Sequence, residues 1–167
     1  IDFRYYKGLH KNVITDLFGG QYYVDSYNRK TVLAENSQNG GVASWVNQKL
    51  GVGDVIRRDY DGFVMYEGGF AQLEYNKDKV SAFVSGGLTN TSYWRKDRFY
   101  YSGDKQVSSK KHYLGGNVKA GLNYNLDEYN NVFFNTGFIS RAPIFDNTFI
   151  NSQSSHERNP DAKNEKV

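Results

Sequence analysis

Three histidines, His10, His112 and His156, are the side chains best suited to bind a metal or move protons near neutral pH. They are widely spaced, and none has the His-x-x-x-His or His-Glu-x-x-His partner that sets two imidazoles on one helix face. The chain has no cysteine, so a thiolate zinc site, a disulfide framework and a cysteine nucleophile are all excluded. Asp59 and Asp61 beside Gly62 echo a calcium loop, yet the EF-hand spacing is missing, and an Asp-Gly turn before a strand accounts for them. Gly51-Val52-Gly53 lacks the third glycine and the strand–helix setting of a dinucleotide site. Serine, histidine and aspartate all occur, but no nucleophile-elbow motif does. These residues make no catalytic constellation. The expectation is a non-enzymatic chain with no metal and no cofactor.

A second group of residues carries charge rather than catalysis. Trp94, Arg95, Lys96, Asp97, Arg98 and Arg141 fall near the ends of alternating segments. They read either as the lining of a substrate path or as polar strand extensions tied by surface ion pairs, each worth under about 1 kcal/mol. The second reading fits their mixed signs better, so no substrate-binding residue is assigned. Net charge is +3 with the signs interspersed, which gives no footprint for nucleic acid.

The elements that must carry these side chains are strands. Of 167 residues 38% are hydrophobic, and the mean hydropathy is −0.71, low for a compact core. Aromatics nevertheless reach 16%, with 14 Tyr and 11 Phe, which a disordered chain would not have. Two prolines against 17 glycines suit long strands and tight turns. No run of about 18 apolar residues offers a membrane helix. The chain begins at Ile1 with neither a start methionine nor a signal peptide, as a processed chain or an excised piece would.

Alternation predicts strands over 1–7, 62–75, 80–101, 111–124 and 131–142. Polar turns at 76–79 and 125–130 join them as hairpins, 102–110 is a longer polar connection, and Pro143 stops the last strand. Residues 8–59 read as one long loop, with one or two helical turns over 44–50 capped by Ser44. Residues 144–167 read as loop. Short and long connections thus alternate, and the strands exceed the usual five or six residues or so. Both features describe a transmembrane β-barrel.

The faces agree. In Lys111–Tyr124 one side carries Leu114, Gly116, Val118, Ala120, Leu122 and Tyr124, and the other Tyr113, Asn117, Lys119 and Asn123. Ala71, Leu73 and Tyr75, then Val80, Ala82 and Val84, repeat the apolar side. Lipid would face this side and a wet lumen the other. Tyr75, Tyr124 and Tyr129 sit beside the short turns, where an interfacial aromatic girdle belongs.

Asn130–Pro143, NNVFFNTGFISRAP, followed by a loop and then RNPDAKNEKV, resembles TonB-dependent outer-membrane receptors. In that family a strand ending in Ser-Arg-Ala-Pro enters an extracellular loop, and an Asn-Pro-x-Leu-Lys-x-Glu element opens the next strand. Ser140, Arg141, Ala142 and Pro143 match the first motif. Asn159, Pro160, Asp161, Lys163, Asn164 and Glu165 match the second, with Ala162 where leucine is common. Phe70–Tyr101 resembles the family's periplasmic-turn hairpin, and Asp2–His10 its strand opening. The resemblance implies 1–167 as about five strands of a larger barrel, without the plug, in the cell outer membrane. Its implied partners are membrane lipid, the TonB system through the plug, and a small scarce nutrient such as a metal chelate, cobalamin or glycan. On that outer surface the basic run Lys105, Lys110, Lys111 and His112 would be either a solvated loop or a contact for lipopolysaccharide phosphates. Two other readings compete: a soluble all-β binding module that stacks glycans on Trp45 and Trp94, and a small complete eight-stranded barrel.

Overall fold

A computed structural model describes residues 1–23, 49–101 and 103–167. The chain is all-β. Five long strands run as an antiparallel meander: β1 (Asp2–Val13), β4 (Val55–Lys77), β5 (Val80–Asp97), β6 (Lys111–Asn125) and β7 (Asn131–Arg141). A two-residue strand, β8 (Glu165–Lys166), begins a sixth against Ser140 and Arg141 of β7. The sheet order is β1-β4-β5-β6-β7-β8, and a separate pair joins β2 (Tyr22–Tyr23) to β3 (Lys49–Leu50).

The expected hairpins are present. Lys77 pairs with Val80 across a tight turn in which Asp78 takes a positive φ of 51°. Asn125 pairs with Asn131 across the other turn. There the Asp127 carboxylate accepts the backbone N–H of Tyr129 and of Asn130, which holds its pKa below the ordinary aspartate value.

Three expectations need correction. The long loop does not start at residue 8 or end at 59. Gly8 pairs with Gly62, His10 with Tyr60 and Val13 with Val55, so β1 and β4 each extend well into it. Alternation disappears there because polar and apolar residues are mixed along both faces, which leaves no period-2 signal. The predicted helical turns over 44–50 end instead as strand β3 at Lys49–Leu50; Ser44 and Trp45 lie outside the described residues. Likewise β5 stops at Asp97 rather than at 101. Its carboxylate accepts the N–H groups of Phe99 and Tyr100, which removes two donors from the ladder.

Register fixes the faces. Ala71–Gly86–Val118–Phe138 is one cross-strand row and Leu73–Val84–Ala120 another, so the apolar members of every alternation share a side. That side is uncovered: Leu73, Leu88 and Leu114 are 74%, 79% and 79% exposed. The buried core lies at one end instead. It comprises Tyr60, Tyr93, Phe99, Tyr113 and Phe149, where the connections after β5 and β7 fold onto the opposite, polar face.

Candidate functional site

The segment that follows β7 builds this end of the molecule. Pro143 leaves the strand, and a short 3-10 helix (Phe145–Thr148) turns the chain across the polar face. Phe145 reaches as far as β4 and seats its ring on Gly62. A Cβ there would stand 3.0 Å from Phe145 Cζ, so glycine permits the close approach. The same ring meets Tyr93 edge-on at 5.8 Å and Phe149 at 5.3 Å. Tyr93 donates its hydroxyl to the Pro143 carbonyl at 2.7 Å.

Arg95 is the anchor beneath this segment. Its guanidinium is fully buried and donates to the carbonyl oxygens of Ser152 and Ser155. Nη2 bonds the Asp97 carboxylate at 2.6 Å, and the plane lies 4.3 Å from the Tyr60 ring centroid. A planar fork can hold carbonyls and a carboxylate at once, which a lysine could not. Beside it His156 stacks on Tyr101 at 3.9 Å. Its Nε2 faces the carbonyl oxygens of Lys105 and Gln106, so the proton sits on Nε2 and the buried Nδ1 is left without a partner. Burial, and then the charge of Arg95, hold the His156 pKa below the ordinary histidine value.

Below the folded segment the polar face forms a cleft of about 420 Å³. Arg4, Tyr6, Tyr66, Tyr93, Asn117 and Arg141 line it. Arg4 lies over the Tyr66 ring at 5.6 Å and pairs with Asp2 at 2.6 Å; Arg141 pairs with Glu165 at 2.6 Å. Aromatic faces beside guanidinium and amide donors suit a small polar or anionic molecule. Among the described residues no general base is set against a nucleophile in this cleft.

The residues singled out in the sequence are divided by the fold rather than gathered. His10 stacks on Tyr60, His112 accepts or donates at Ser92 Oγ, and His156 lies in the folded segment. Among the described residues no group of three or more His, Cys, Asp or Glu could hold a metal. Asp59 and Asp61 both bond Arg98. The run Trp94–Arg98 splits by strand alternation: Arg95 and Asp97 point inward and are buried, while Trp94 and Lys96 point to the apolar side. Of that group Arg141 alone lines the cleft. Arg4, Tyr6, Tyr66 and Tyr93 were missed because register across three strands, not spacing along one, brings them together. Compared with protein-family models, curated proteins and solved structures, the chain matches none.

Proposed function

We propose that this chain is a segment of a transmembrane β-barrel of the TonB-dependent receptor type, set in a cell outer membrane and serving uptake of a scarce small nutrient. One observation carries the reading: a meander of long strands whose apolar side is uncovered while its polar side holds a cleft beside a folded segment. In water such a face is a liability. In a bilayer it is the required outer wall, and the strands, at 11 to 23 residues, are long enough to cross. The tight turns at Asp78 and Asp127 lie at one end and the long connections at the other, as in outer-membrane barrels. The Ser140–Pro143 and Asn159–Glu165 motifs fit the same assignment, since the second of them leads into β8 beside β7. Within it, the cleft beside the folded segment is the nutrient path, with Tyr6, Tyr66, Arg4 and Arg141 facing the cargo.

The test is fractionation of cells expressing the full-length protein. Carbonate-resistant recovery in the outer membrane, with heat-modifiable mobility on gels, is expected. Recovery as a detergent-free, monodisperse monomer would overturn the reading in favour of a soluble all-β binding module. Nutrient uptake that stops when the TonB system is deleted would then separate transport from mere residence in the membrane.

A further inference from the structure

The cleft and the folded segment share a wall. Tyr93 lines the cleft, yet its hydroxyl donates to the Pro143 carbonyl at 2.7 Å and its ring meets Phe145 edge-on. Arg141 and Ala142 line the same cleft and run directly into Pro143. The position of Tyr93 is therefore set by the start of the segment.

The segment is one bonded unit. Ile150 donates its N–H to the Glu157 carbonyl and Asn159 donates to the Thr148 carbonyl, each at 3.0 Å, with Phe149 bridged to Arg158 between them. Phe149 packs on Phe145 at 5.3 Å. Contacts thus run from His156 and its neighbour Glu157 through Phe149 and Phe145 to Tyr93.

His156 is where that chain responds to a proton. Its ring stacks on Tyr101, and Nε2 donates to the carbonyl oxygens of Lys105 and Gln106. A second proton would sit on the buried Nδ1, which has no acceptor among the described residues. It would also place a cation beside Arg95. Asp97 is already engaged: Oδ2 holds Arg95, and Oδ1 accepts the N–H groups of Phe99 and Tyr100. Glu157 is exposed, and Arg158 is turned to Ser109. Undocking gives Nδ1 to water, so acid favours the undocked segment.

We propose that the folded segment is an acid-released latch on the cleft: protonation of His156 undocks residues 144–158, Tyr93 loses both its partners there, and the cleft opens. The inference rests on the cleft being the cargo path. Closed, the wall of Tyr93, Arg141 and Ala142 holds cargo. Open, it lets cargo go. Linkage makes the effect reciprocal, so cargo that fits the closed cleft disfavours protonation of His156 by the same factor that acid weakens its binding.

The experiment reads cleft access without cargo. It uses the full-length protein in detergent, with any other cysteine removed, Thr91→Cys as reporter and an uncharged maleimide as probe. Thr91 lines the cleft and is buried. The labelling rate at pH 5.5 is divided by that at pH 7.5, in Thr91→Cys and in Thr91→Cys/His156→Gln. The same thiol is read in both, so its own titration cancels. The ratio should be larger by about threefold or more where His156 is present. Adding Tyr93→Phe should speed labelling at pH 7.5, while proteolysis within 144–158 keeps its acid dependence. Equal ratios in the two backgrounds would overturn the latch, and unchanged labelling in Tyr93→Phe would overturn the part given to Tyr93. A protein recovered in the outer membrane with equal ratios loses the latch and keeps the barrel reading. A detergent-free soluble monomer with unequal ratios keeps the latch and loses the barrel.

Discussion

Arg95 and Asp97 point to the same side of β5, both fully buried, with Nη2 of the arginine 2.6 Å from Oδ2 of the aspartate. The pair is not an isolated ion pair. Asp97 also accepts the N–H groups of Phe99 and Tyr100, and Arg95 also donates to loop carbonyls. It therefore ties together the end of β5, the turn that follows it and the segment after β7. Taking two charges out of water is costly, and the surrounding hydrogen bonds offset that cost.

Replacing Arg95 by alanine should therefore release the capping segment. The loss strands Asp97 and several carbonyl oxygens, a change worth about 3–5 kcal/mol for a buried pair. Hydrogen exchange over 144–158 in the full-length protein should rise by orders of magnitude. Arg95→Lys should rescue only in part, because one ammonium cannot replace a fork. Unchanged protection in Arg95→Ala would show that the aromatic contacts of Phe145 and Phe149 suffice.

His156 makes the same segment sensitive to acid. Its pKa in the folded state lies below the ordinary value of 6.5, so the undocked segment binds the extra proton more readily. Docking strength is full above about pH 6.5 and falls as pH drops below it, levelling off under the folded pKa. The groups around the ring are Arg95, Asp97, Tyr101 and the carbonyls of Lys105 and Gln106. Proteolysis within 144–158 should be faster at pH 5.5 than at pH 7.5. His156→Gln should flatten that dependence; a profile identical to wild type would assign it to another group.

The two sides of β6 should differ in their tolerance of charge. Val118 lies near the middle of the apolar band, between Gly86 and Phe138, whereas Asn117 faces the cleft. Val118→Arg should cost about 2–4 kcal/mol in assembly, the midplane value for barrels. Asn117→Arg should cost little, and Leu122→Arg, nearer the turn, should fall between. Heat-modifiability of the full-length protein reads the order directly. Equal behaviour of Val118→Arg and Asn117→Arg would defeat the assignment of faces.

How far these features were legible in the sequence follows from where each face meets a single kind of surrounding. Lys111–Asn125 alternates cleanly because one side is apolar and the other polar throughout, so its limits were legible almost to the residue. Gly8–Val13 and Val55–Asp61 were not, because polar residues occupy both sides of those strand ends. Asp97 ends β5 through side-chain hydrogen bonds that no periodicity reveals. The cleft was invisible for another reason. Arg4, Tyr66 and Asn117 stand far apart in the chain and meet only through register.

The last expectation concerns the 167-residue chain expressed alone. Among the described residues the sheet is open, and β1 leaves one ladder edge unpaired along its length. On the other edge β8 and Val167 cover only Ile139, Ser140 and Arg141 of β7, so residues 131–138 have little protection. Unpaired edges recruit further strands, and closure is how barrels remove them. The uncovered side adds a contiguous apolar surface, with Leu73, Leu88, Leu114 and Phe134 each more than half exposed. Soluble monomers rarely carry such a patch. The core at the capped end is too small to offset both liabilities, because most of the sheet lies beyond it. In detergent-free buffer the chain should associate edge to edge or face to face, and light scattering should show assemblies well above the 19.1 kDa of one copy. Mild detergent should reduce their size by covering the apolar side, while the edges still pair. A monodisperse monomer with cooperative unfolding would mean that the chain closes its own core, and the membrane reading would fall with it.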